Sequence, residues 1–270
     1  MAESNQPSAV LLKAIARVLD EGSTATLATL VAAAKNIGTK LLVTESGVAT
    51  GSLGDVALDK VVSKRATEFL NTRDEAHLFR VSEFAPELTE WIEASVLFER
   101  LEPEPRLVIC GAGHVGAALA RLANLTGYRA TLIDDRSEFL VRERFPDERI
   151  ELMIAENWQD AVRNAVGNGH GVSVAVVTRG HNEDEECMHV VMTTTPDYVG
   201  LIGSKRRTNI VLDRLRQAGV SEEMLNKVHA PVGLDIGAVT PEEVALAILA
   251  EIVAQRRGGK GGSLSAWRRS

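Results

Sequence analysis

The sequence predicts an α/β protein with two domains: a smaller N-terminal α+β domain at residues 1–103 and a Rossmann-like domain with a parallel sheet at residues 104–257. A chain of 270 residues exceeds the usual size of one domain. The apolar pattern changes at the segment EPEP, residues 102–105, which is the predicted linker. Beyond it, apolar strands alternate with helices, which is typical of a parallel, doubly wound sheet.

The N-terminal domain is predicted from one amphipathic helix, a hairpin and a second helix. Apolar residues recur at helical spacing from Ser8 to Glu21, and the triplet ESG at residues 45–47 has the composition of a hairpin turn. Asp55 is expected to cap a helix that runs to about Arg73. Stretches rich in β-branched or alternating apolar residues predict strands at 24–33, 39–44, 76–82 and 94–101.

The C-terminal domain is predicted from a repeated order of strand and helix. Its first strand, RLVICG, precedes a helix from His114 to Asn124. Thr240, Pro241 and Glu243 form a capping box with proline at the first position of a last helix that reaches Arg257. The remaining predicted strands are residues 128–134, 172–178 and 198–203. The glycine-rich, basic tail at residues 258–270 lacks periodicity and is expected to be disordered.

Composition excludes several classes of protein. The net charge of -7 argues against a nucleic-acid partner, because phosphate neutralisation needs a basic face. No apolar run approaches the roughly 20 residues of a membrane span, and the N-terminus has no basic leader, so the expected location is the cytoplasm. Cys110 and Cys187 lack the spacing of a zinc or redox pair, and no metal site, disulfide framework or reactive thiol is expected.

The segment ICGAGHVGAAL, residues 109–119, has the pattern of a nucleotide-binding turn. Gly111, Gly113 and Gly116 occupy the positions that such a turn uses for a tight bend, backbone approach to a phosphate and close helix packing, with His114 between them. Asp134 ends the next strand, where a carboxylate can accept hydrogen bonds from a ribose, and Arg136 is close enough to contact a phosphate. The alternative is that the glycines only tighten the turn. Hydride transfer is a separate claim, because no catalytic residue is evident.

Two further clusters follow later strands and are expected at the same carboxyl edge of the sheet. Gly203, Ser204, Lys205 and Arg206 open a helix with backbone donors, a hydroxyl and cations, which favours a bound anion over a solvated basic helix start. In TRGHNEDEE, residues 178–186, the candidate ligand residues are Arg179 and His181, although a lone histidine more often ends as a loop residue. The acidic run EDEE is expected to be a solvated helix start.

Together these motifs resemble the XdhC/CoxI family of accessory factors for molybdenum hydroxylases such as xanthine dehydrogenase and carbon monoxide dehydrogenase. The shared motifs stand in the family's order and nearly cover the second domain: GAGHVG (111–116), DDR (134–136), TRGH (178–181), YVGLIGSKRR (198–207) and HAPVGLDIGAVTPEEVALAILAEI (229–252). IGTKLLVTESGVATGSLGD at residues 37–55 resembles the family's N-terminal segment. Many members carry a cysteine in this glycine segment, after the GS pair, whereas this chain has Asp55 and Val56 there and no thiol nearby.

The resemblance implies a chaperone that binds the molybdenum cofactor, as molybdopterin or its dinucleotide form. It further implies that the protein assists sulfuration of this cofactor by a cysteine desulfurase-type sulfurtransferase and delivers it to an apo-molybdenum hydroxylase. A homodimer is the expected assembly, and a maturation factor is favoured over an enzyme. Two alternatives use the same glycine turn: an NAD(P)-dependent oxidoreductase, and a nucleotide-sensing module that binds NAD or another nucleotide.

Overall fold

The computed structural model describes residues 6–72 and 74–265, so the end of the predicted tail, residues 266–270, lies outside the described residues. The chain divides into two compact units, Met1–Pro103 and Glu104–Ser270. In the described residues, every helix is too short or too polar to span a membrane.

The first unit is an antiparallel sheet with helices packed on it, as the sequence predicts. Its helices are α1 (Gln6–Asp20) and α2 (Val56–Leu70), and Asp55 caps α2 by accepting a hydrogen bond from the Leu58 amide. The strands are β1 (Ala25–Ala32), β2 (Lys40–Thr44), β3 (Ala49–Ser52), β4 (Ala76–Arg80) and β5 (Ser95–Leu101). Their order is β3-β2-β1-β5-β4, and the predicted turn at residues 45–47 joins β2 to β3.

The core of the first unit lies between this sheet and α2. Leu58, Val62 and Phe69 on α2 are fully buried at helical spacing and pack with Phe98 of β5. Burial of such a face supplies most of the stability of a helix of this length, because isolated helices are marginal in water.

The second unit is built around a six-stranded sheet. Its strands are β6 (Arg106–Cys110), β7 (Arg129–Asp134), β8 (Ile150–Ile154), β9 (Val172–Val176), β10 (Tyr198–Leu201) and β11 (Val228–His229). Its helices are α3 (His114–Leu125), α4 (Trp158–Val166), α5 (His181–Thr194), α6 (Lys205–Gln217), α7 (Glu222–Leu225) and α8 (Pro241–Arg257). Thr240 and Glu243 form the predicted capping box at the start of α8.

Every strand pairing in this sheet is parallel, which confirms the predicted Rossmann-like class. The strand order is β11-β10-β9-β6-β7-β8. From β6 the chain proceeds to β7 and β8 on one side, and from β9 it proceeds to β10 and β11 on the other. The order therefore reverses between β6 and β9, where doubly wound sheets have a ligand crevice at the carboxyl ends of the strands.

Both faces of the parallel sheet are covered by helices. One face of the sheet packs against α3 and α8, with Leu119 and Ile248 fully buried. The other face packs against α4, α5 and α6, with Val162, Val191 and Val211 fully buried. All five residues of β9 are buried, as expected for a central strand of a parallel sheet.

Candidate functional site

The turn from β6 into α3 lies at the point where the strand order reverses. Gly111 has a φ of +116°, and a Cβ at this position would lie 2.6 Å from the Val177 carbonyl oxygen. A Cβ on Gly116 would lie 1.8 Å from the Gly111 carbonyl oxygen. These two positions therefore require glycine for the bend and for helix packing, as the spacing predicts. A Cβ on Gly113, in contrast, would meet nothing within 4 Å.

The helices on either side of the crevice both begin with glycine followed by histidine. Gly113 is the N-cap of α3 and Gly180 is the N-cap of α5, and neither can offer a side-chain acceptor to the first turn. His114 and His181 are exposed at the first helical positions. Among the described residues, the other four helices of this unit are capped by the side chains of Asn157, Ser204, Ser221 and Thr240.

Uncapped helix starts leave backbone N–H groups available to an anion, and the helix dipole favours negative charge there. The start of α5 is partly occupied, because the Glu183 carboxylate lies beside Gly180 and pairs with Arg179 at 3.2 Å. The start of α3 is open at Gly113. The site can therefore hold a phosphate at the start of α3 through backbone donors.

The Asp134 carboxylate lies at the end of β7 and is directed into the protein. It is 1% exposed, accepts a 2.6 Å hydrogen bond from the Ala112 amide, and pairs through both oxygens with Arg136. Burial alone would raise the pKa of Asp134, but the hydrogen bonds from Arg136 and the Ala112 amide outweigh it and hold the pKa below its usual range. Acceptance of a ribose hydroxyl would require Arg136 to withdraw.

An ion pair joins the loops on either side of the glycine turn. Arg179, in the loop after β9, donates to both oxygens of Asp135, which follows β7, at 2.9 and 2.8 Å. Because β6 lies between β7 and β9, this pair spans the end of the strand that carries the glycine turn. Asp135 is not among the predicted ligand residues, although it follows Asp134 directly at a strand end.

The loop after β10 supplies cations at the same carboxyl edge, two strand positions from β6. Ser204 follows Gly203 and caps α6 by accepting from the Arg207 amide at 3.3 Å, so its hydroxyl already serves the helix. Lys205 and Arg206 are exposed, and neither side chain has a hydrogen-bond or ionic partner within residues 6–72 and 74–265.

The expectation that EDEE is a solvated helix start is wrong at Asp184. This side chain is fully buried and accepts from the Thr178 hydroxyl at 2.6 Å and from Arg207 Nε at 2.9 Å. Burial raises its pKa, against the hydrogen bonds from Thr178 and Arg207. The burial of Asp184 could have been predicted from the sequence. Asp184 lies three, four and seven residues before the apolar Cys187, Met188 and Val191, which places it on the same inward face of α5.

The two thiols lie together in the core beneath this edge, which their distant positions in sequence do not predict. Cys110 and Cys187 are both fully buried. A hydrogen bond with the Cys110 thiol, followed by burial, raises the pKa of Cys187 well above its ordinary value. Both cysteines therefore act as apolar core residues, as the sequence predicts for Cys110.

The loop after β11, whose purpose the sequence does not reveal, is fastened to α8. The Glu251 carboxylate accepts from the Tyr198 hydroxyl at 2.5 Å and from the Gly233 amide at 2.9 Å. His229 Nδ1 lies 3.4 Å from the other Glu251 oxygen. Burial, together with the hydrogen bond to Glu251, raises the pKa of Tyr198. The cluster therefore fixes the backbone of this loop at the carboxyl edge of the sheet.

The parallel sheet and the glycine turn at its switch point define a Rossmann-type domain, and the cations around the turn mark a candidate anion site. The chain belongs to the XdhC family. Residues 107–252, more than half of the chain, match the model of the XdhC Rossmann domain. Residues 18–82 match the model of the XdhC and CoxI family.

Individual relatives agree with this assignment. The chain is 38% identical to Escherichia coli YqeB over 158 residues, which are 58% of this chain and 28% of YqeB. It is 29% identical to a Bacillus subtilis protein, named as a probable xanthine dehydrogenase component, over 163 residues, 60% of this chain and 46% of the relative. It is 25% identical to the E. coli molybdenum cofactor insertion chaperone PaoD over 154 residues, 57% of this chain and 41% of PaoD. The matches therefore span less than half the length of these relatives.

A solved structure shares the fold. The crystal structure of a protein named a xanthine dehydrogenase from Bacillus halodurans superposes with a TM-score of 0.66 at 22% sequence identity. The match covers 92% of this chain and 67% of that chain. At this identity the likeness is one of fold.

Proposed function

We propose that the protein is a maturation factor that binds the molybdenum cofactor and holds its phosphate at the start of α3. The observation that carries the proposal is the open, uncapped start of α3 at Gly113. It lies at the switch point of the sheet in the domain that matches the XdhC Rossmann domain. The name of the relative PaoD, a molybdenum cofactor insertion chaperone, supplies the cofactor class. The cofactor would supply the metal centre of the hydroxylase, and the residues of this chain would hold it before its transfer.

The residues present fit a ligand with a phosphate or diphosphate group. The Cβ position of Gly113, the N-cap of α3, is open. Arg136 and Arg179 lie in the loops after β7 and β9, and Lys205 and Arg206 open α6. The pterin cofactor carries a terminal phosphate that is extended by a nucleotide in its dinucleotide form, so a diphosphate-binding turn suits it without hydride transfer. His181, Gly203 and Ser204 complete the proposed surface at the carboxyl edge.

The finer steps of the proposal follow from the family. The protein assists sulfuration of the cofactor by a cysteine desulfurase-type sulfurtransferase and passes the cofactor to an apo-molybdenum hydroxylase, acting as a homodimer in the cytoplasm. With the predicted domain bounds 1–103 and 104–257, all residues of the proposed ligand surface belong to the second domain. The competing NAD(P) proposal places a ribose on Asp134, but both oxygens of that carboxylate are hydrogen-bonded within the protein.

The test is to titrate the full chain separately with released molybdenum cofactor and with NAD(P)H, following fluorescence. We expect tight binding of the cofactor only. Tight NAD(P)H binding with no affinity for the pterin would overturn the proposal in favour of the oxidoreductase or the nucleotide-sensing module. A nicotinamide absorbance change with a small carbonyl compound would favour the oxidoreductase.

Gly113→Asp is the variant that links binding to the turn. The backbone at Gly113 has φ -64° and ψ -170°, which any residue adopts, and its Cβ position is open. Aspartate is a good N-cap, so the fold should keep or slightly gain stability, whereas its carboxylate occupies the donors and repels a phosphate. We expect cofactor binding to fall at least tenfold with an unchanged or higher Tm.

The matched control is Ser221→Asp. Ser221 caps α7, which lies between α6 and β11 and therefore at the opposite edge of the sheet. This variant adds the same charge at the same type of helix position and should bind the cofactor as the unmodified protein does. If Gly113→Asp binds the cofactor as tightly as the unmodified protein does, the phosphate does not bind at the start of α3.

A further inference from the structure

The ion pair between Asp135 and Arg179 crosses the mouth of the proposed phosphate site. Asp135 follows β7, Arg179 follows β9, and β6 with its glycine turn lies between them. The outer two of three adjacent strands are about 10 Å apart, so the pair bridges the crevice only because the arginine side chain is long. Both terminal nitrogens of Arg179 are engaged by Asp135.

This ion pair has good hydrogen-bond geometry, but its side chains are only partly buried. Its bidentate arrangement is the one that arginine also forms with phosphate. The side chains of Arg179 and Asp135 are 47% and 29% exposed, respectively. Because solvent screens such pairs, they contribute little to the stability of the protein, and an arriving anion can displace the carboxylate. Glu183 also contacts Arg179 at 3.2 Å and keeps the guanidinium at the crevice when Asp135 is displaced.

We propose that Asp135 is a specificity-determining residue that holds Arg179 across the crevice and yields it only to ligands bearing a dianionic phosphate or a diphosphate. A carboxylate carries one negative charge, and a dianionic phosphate attracts the guanidinium about twice as strongly at equal distance. A ligand without its phosphate offers no competing charge. The inference rests on the proposed phosphate site at Gly113 and deepens it by naming the ligand charge that the site requires.

The experiment is calorimetric titration of inorganic pyrophosphate into the full chain and five variants. Asp135→Asn removes the competing carboxylate. The dissociation constant for pyrophosphate should therefore fall by about two- to fivefold, which corresponds to the free energy of one solvent-exposed ion pair. Asp135→Glu retains the carboxylate and should bind as the unmodified protein does. Arg179→Gln should bind more weakly, and the double variant should lose most of the gain from Asp135→Asn, because Asp135 contacts Arg179 at 2.8 Å and Arg136 only at 3.8 Å.

Glu223→Gln is the matched charge control for the same titration. Glu223 lies on α7, near the amino ends of the strands, and pairs with the exposed Lys227; loss of its charge changes the net charge equally. It should leave pyrophosphate affinity unchanged. If Asp135→Asn binds no tighter than the unmodified protein, or if the double variant keeps the gain, the role of Asp135 is overturned while the anion site stands. If neither the unmodified protein nor any variant binds pyrophosphate, the proposed anion site and the inference about Asp135 both fail.

Discussion

At the scale of single residues, Asp134 holds the backbone of the glycine turn through hydrogen bonds. Its carboxylate accepts from the Ala112 amide, within the turn, and from the backbone amide of Arg136 at 3.0 Å. Because these hydrogen bonds and the Arg136 guanidinium stabilise the charged form, the pKa of Asp134 stays below its usual range despite burial. The side chain is therefore ionised at neutral pH and positions the backbone that the ligand is proposed to contact.

Replacement of Asp134 by asparagine should cost stability in a pH-dependent way. Loss of the charge-assisted hydrogen bonds should lower the free energy of unfolding by about 1–3 kcal/mol at pH 7. A carboxyl whose pKa is lower in the folded state stabilises fully above its unfolded value of about 3.9, and this contribution is lost as pH falls through the folded value. Urea unfolding at pH 7 and pH 3 should therefore show a difference that shrinks in acid.

Asp213→Asn serves as the control for this prediction, because Asp213 is exposed in its ion pair with Arg216. Its effect on the free energy of unfolding should stay within about 0.5 kcal/mol at both pH values. A deficit of Asp134→Asn that is equally large at pH 7 and pH 3 would contradict the assigned role of the carboxylate charge.

Residue spacing predicts the turn but not the ion pairs around it. Gly111 and Gly116 are predictable because a bend and a close helix approach leave no room for a side chain. The partner of Asp134 is not predictable in this way, since Arg136 can extend into solvent or fold back on its neighbour. The pair between Asp135 and Arg179 depends on strand order, which local sequence does not specify.

At the scale of elements, a buried charge joins α5 to α6. Asp184 on α5 is fully buried, and Arg207 on α6 reaches both this carboxylate and the Thr178 carbonyl oxygen, the latter at 3.2 Å. The loops after β9 and β10 are thereby held in register at the carboxyl edge. This arrangement explains why Arg207 differs from its exposed neighbours Lys205 and Arg206.

Arg207→Ala should destabilise the protein by about 3 kcal/mol at pH 7, because it leaves a buried carboxylate without its cation. Loss of Arg207 also raises the pKa of Asp184 further. A carboxyl with a raised pKa loses stability as pH rises through the folded value, so the deficit should be largest at neutral pH and shrink towards pH 4. Chemical unfolding across this range measures it.

Arg206→Ala is the control one residue away. Its side chain is exposed and has no ionic partner in the part of the chain that the structure describes, so the change in unfolding free energy should stay within about 0.5 kcal/mol. Equal effects of the two substitutions would mean that Asp184 does not depend on Arg207 for compensation.

Elements with strong periodicity or clear caps are predictable from this sequence, and irregular ones are not. The predicted bounds of the first sheet, α3 and α8 lie close to the observed ones. The strand β8 and the helix α4 are absent from the prediction. β8 is one of the two edge strands of its sheet and only its first residue is buried, so it lacks a continuous apolar run. Asn157 as a cap, with Trp158, Ala161, Val162 and Ala165 at helical spacing, could have indicated α4.

At the scale of the whole molecule, an acidic chain concentrates cations at one edge of one sheet. The net charge is -7, yet Arg136, Arg179, Lys205 and Arg206 all follow the carboxyl ends of parallel strands. Asp134 and Asp135 pair with Arg136 and Arg179, so Lys205 and Arg206 are the cations of this group that have no ionic partner among the described residues. Unpaired cations at this edge would attract a phosphate-bearing ligand, while the overall negative charge disfavours long nucleic acids. This distribution supports a small anionic cargo as the ligand of the second unit.

If the protein is a cofactor maturation factor, its loss should affect a partner enzyme without affecting that enzyme's synthesis. In cells that lack the protein, we expect molybdenum hydroxylase activity to fall while the hydroxylase polypeptide still accumulates, as measured by activity staining and immunoblotting of the same extracts. Restored expression of the unmodified protein or of Ser221→Asp should recover activity. Gly113→Asp should accumulate to the same level without recovering it, because the donors at the start of α3 are blocked by its carboxylate. Full hydroxylase activity in the deletion strain, or in the strain with Gly113→Asp, would contradict delivery of the cofactor through this turn.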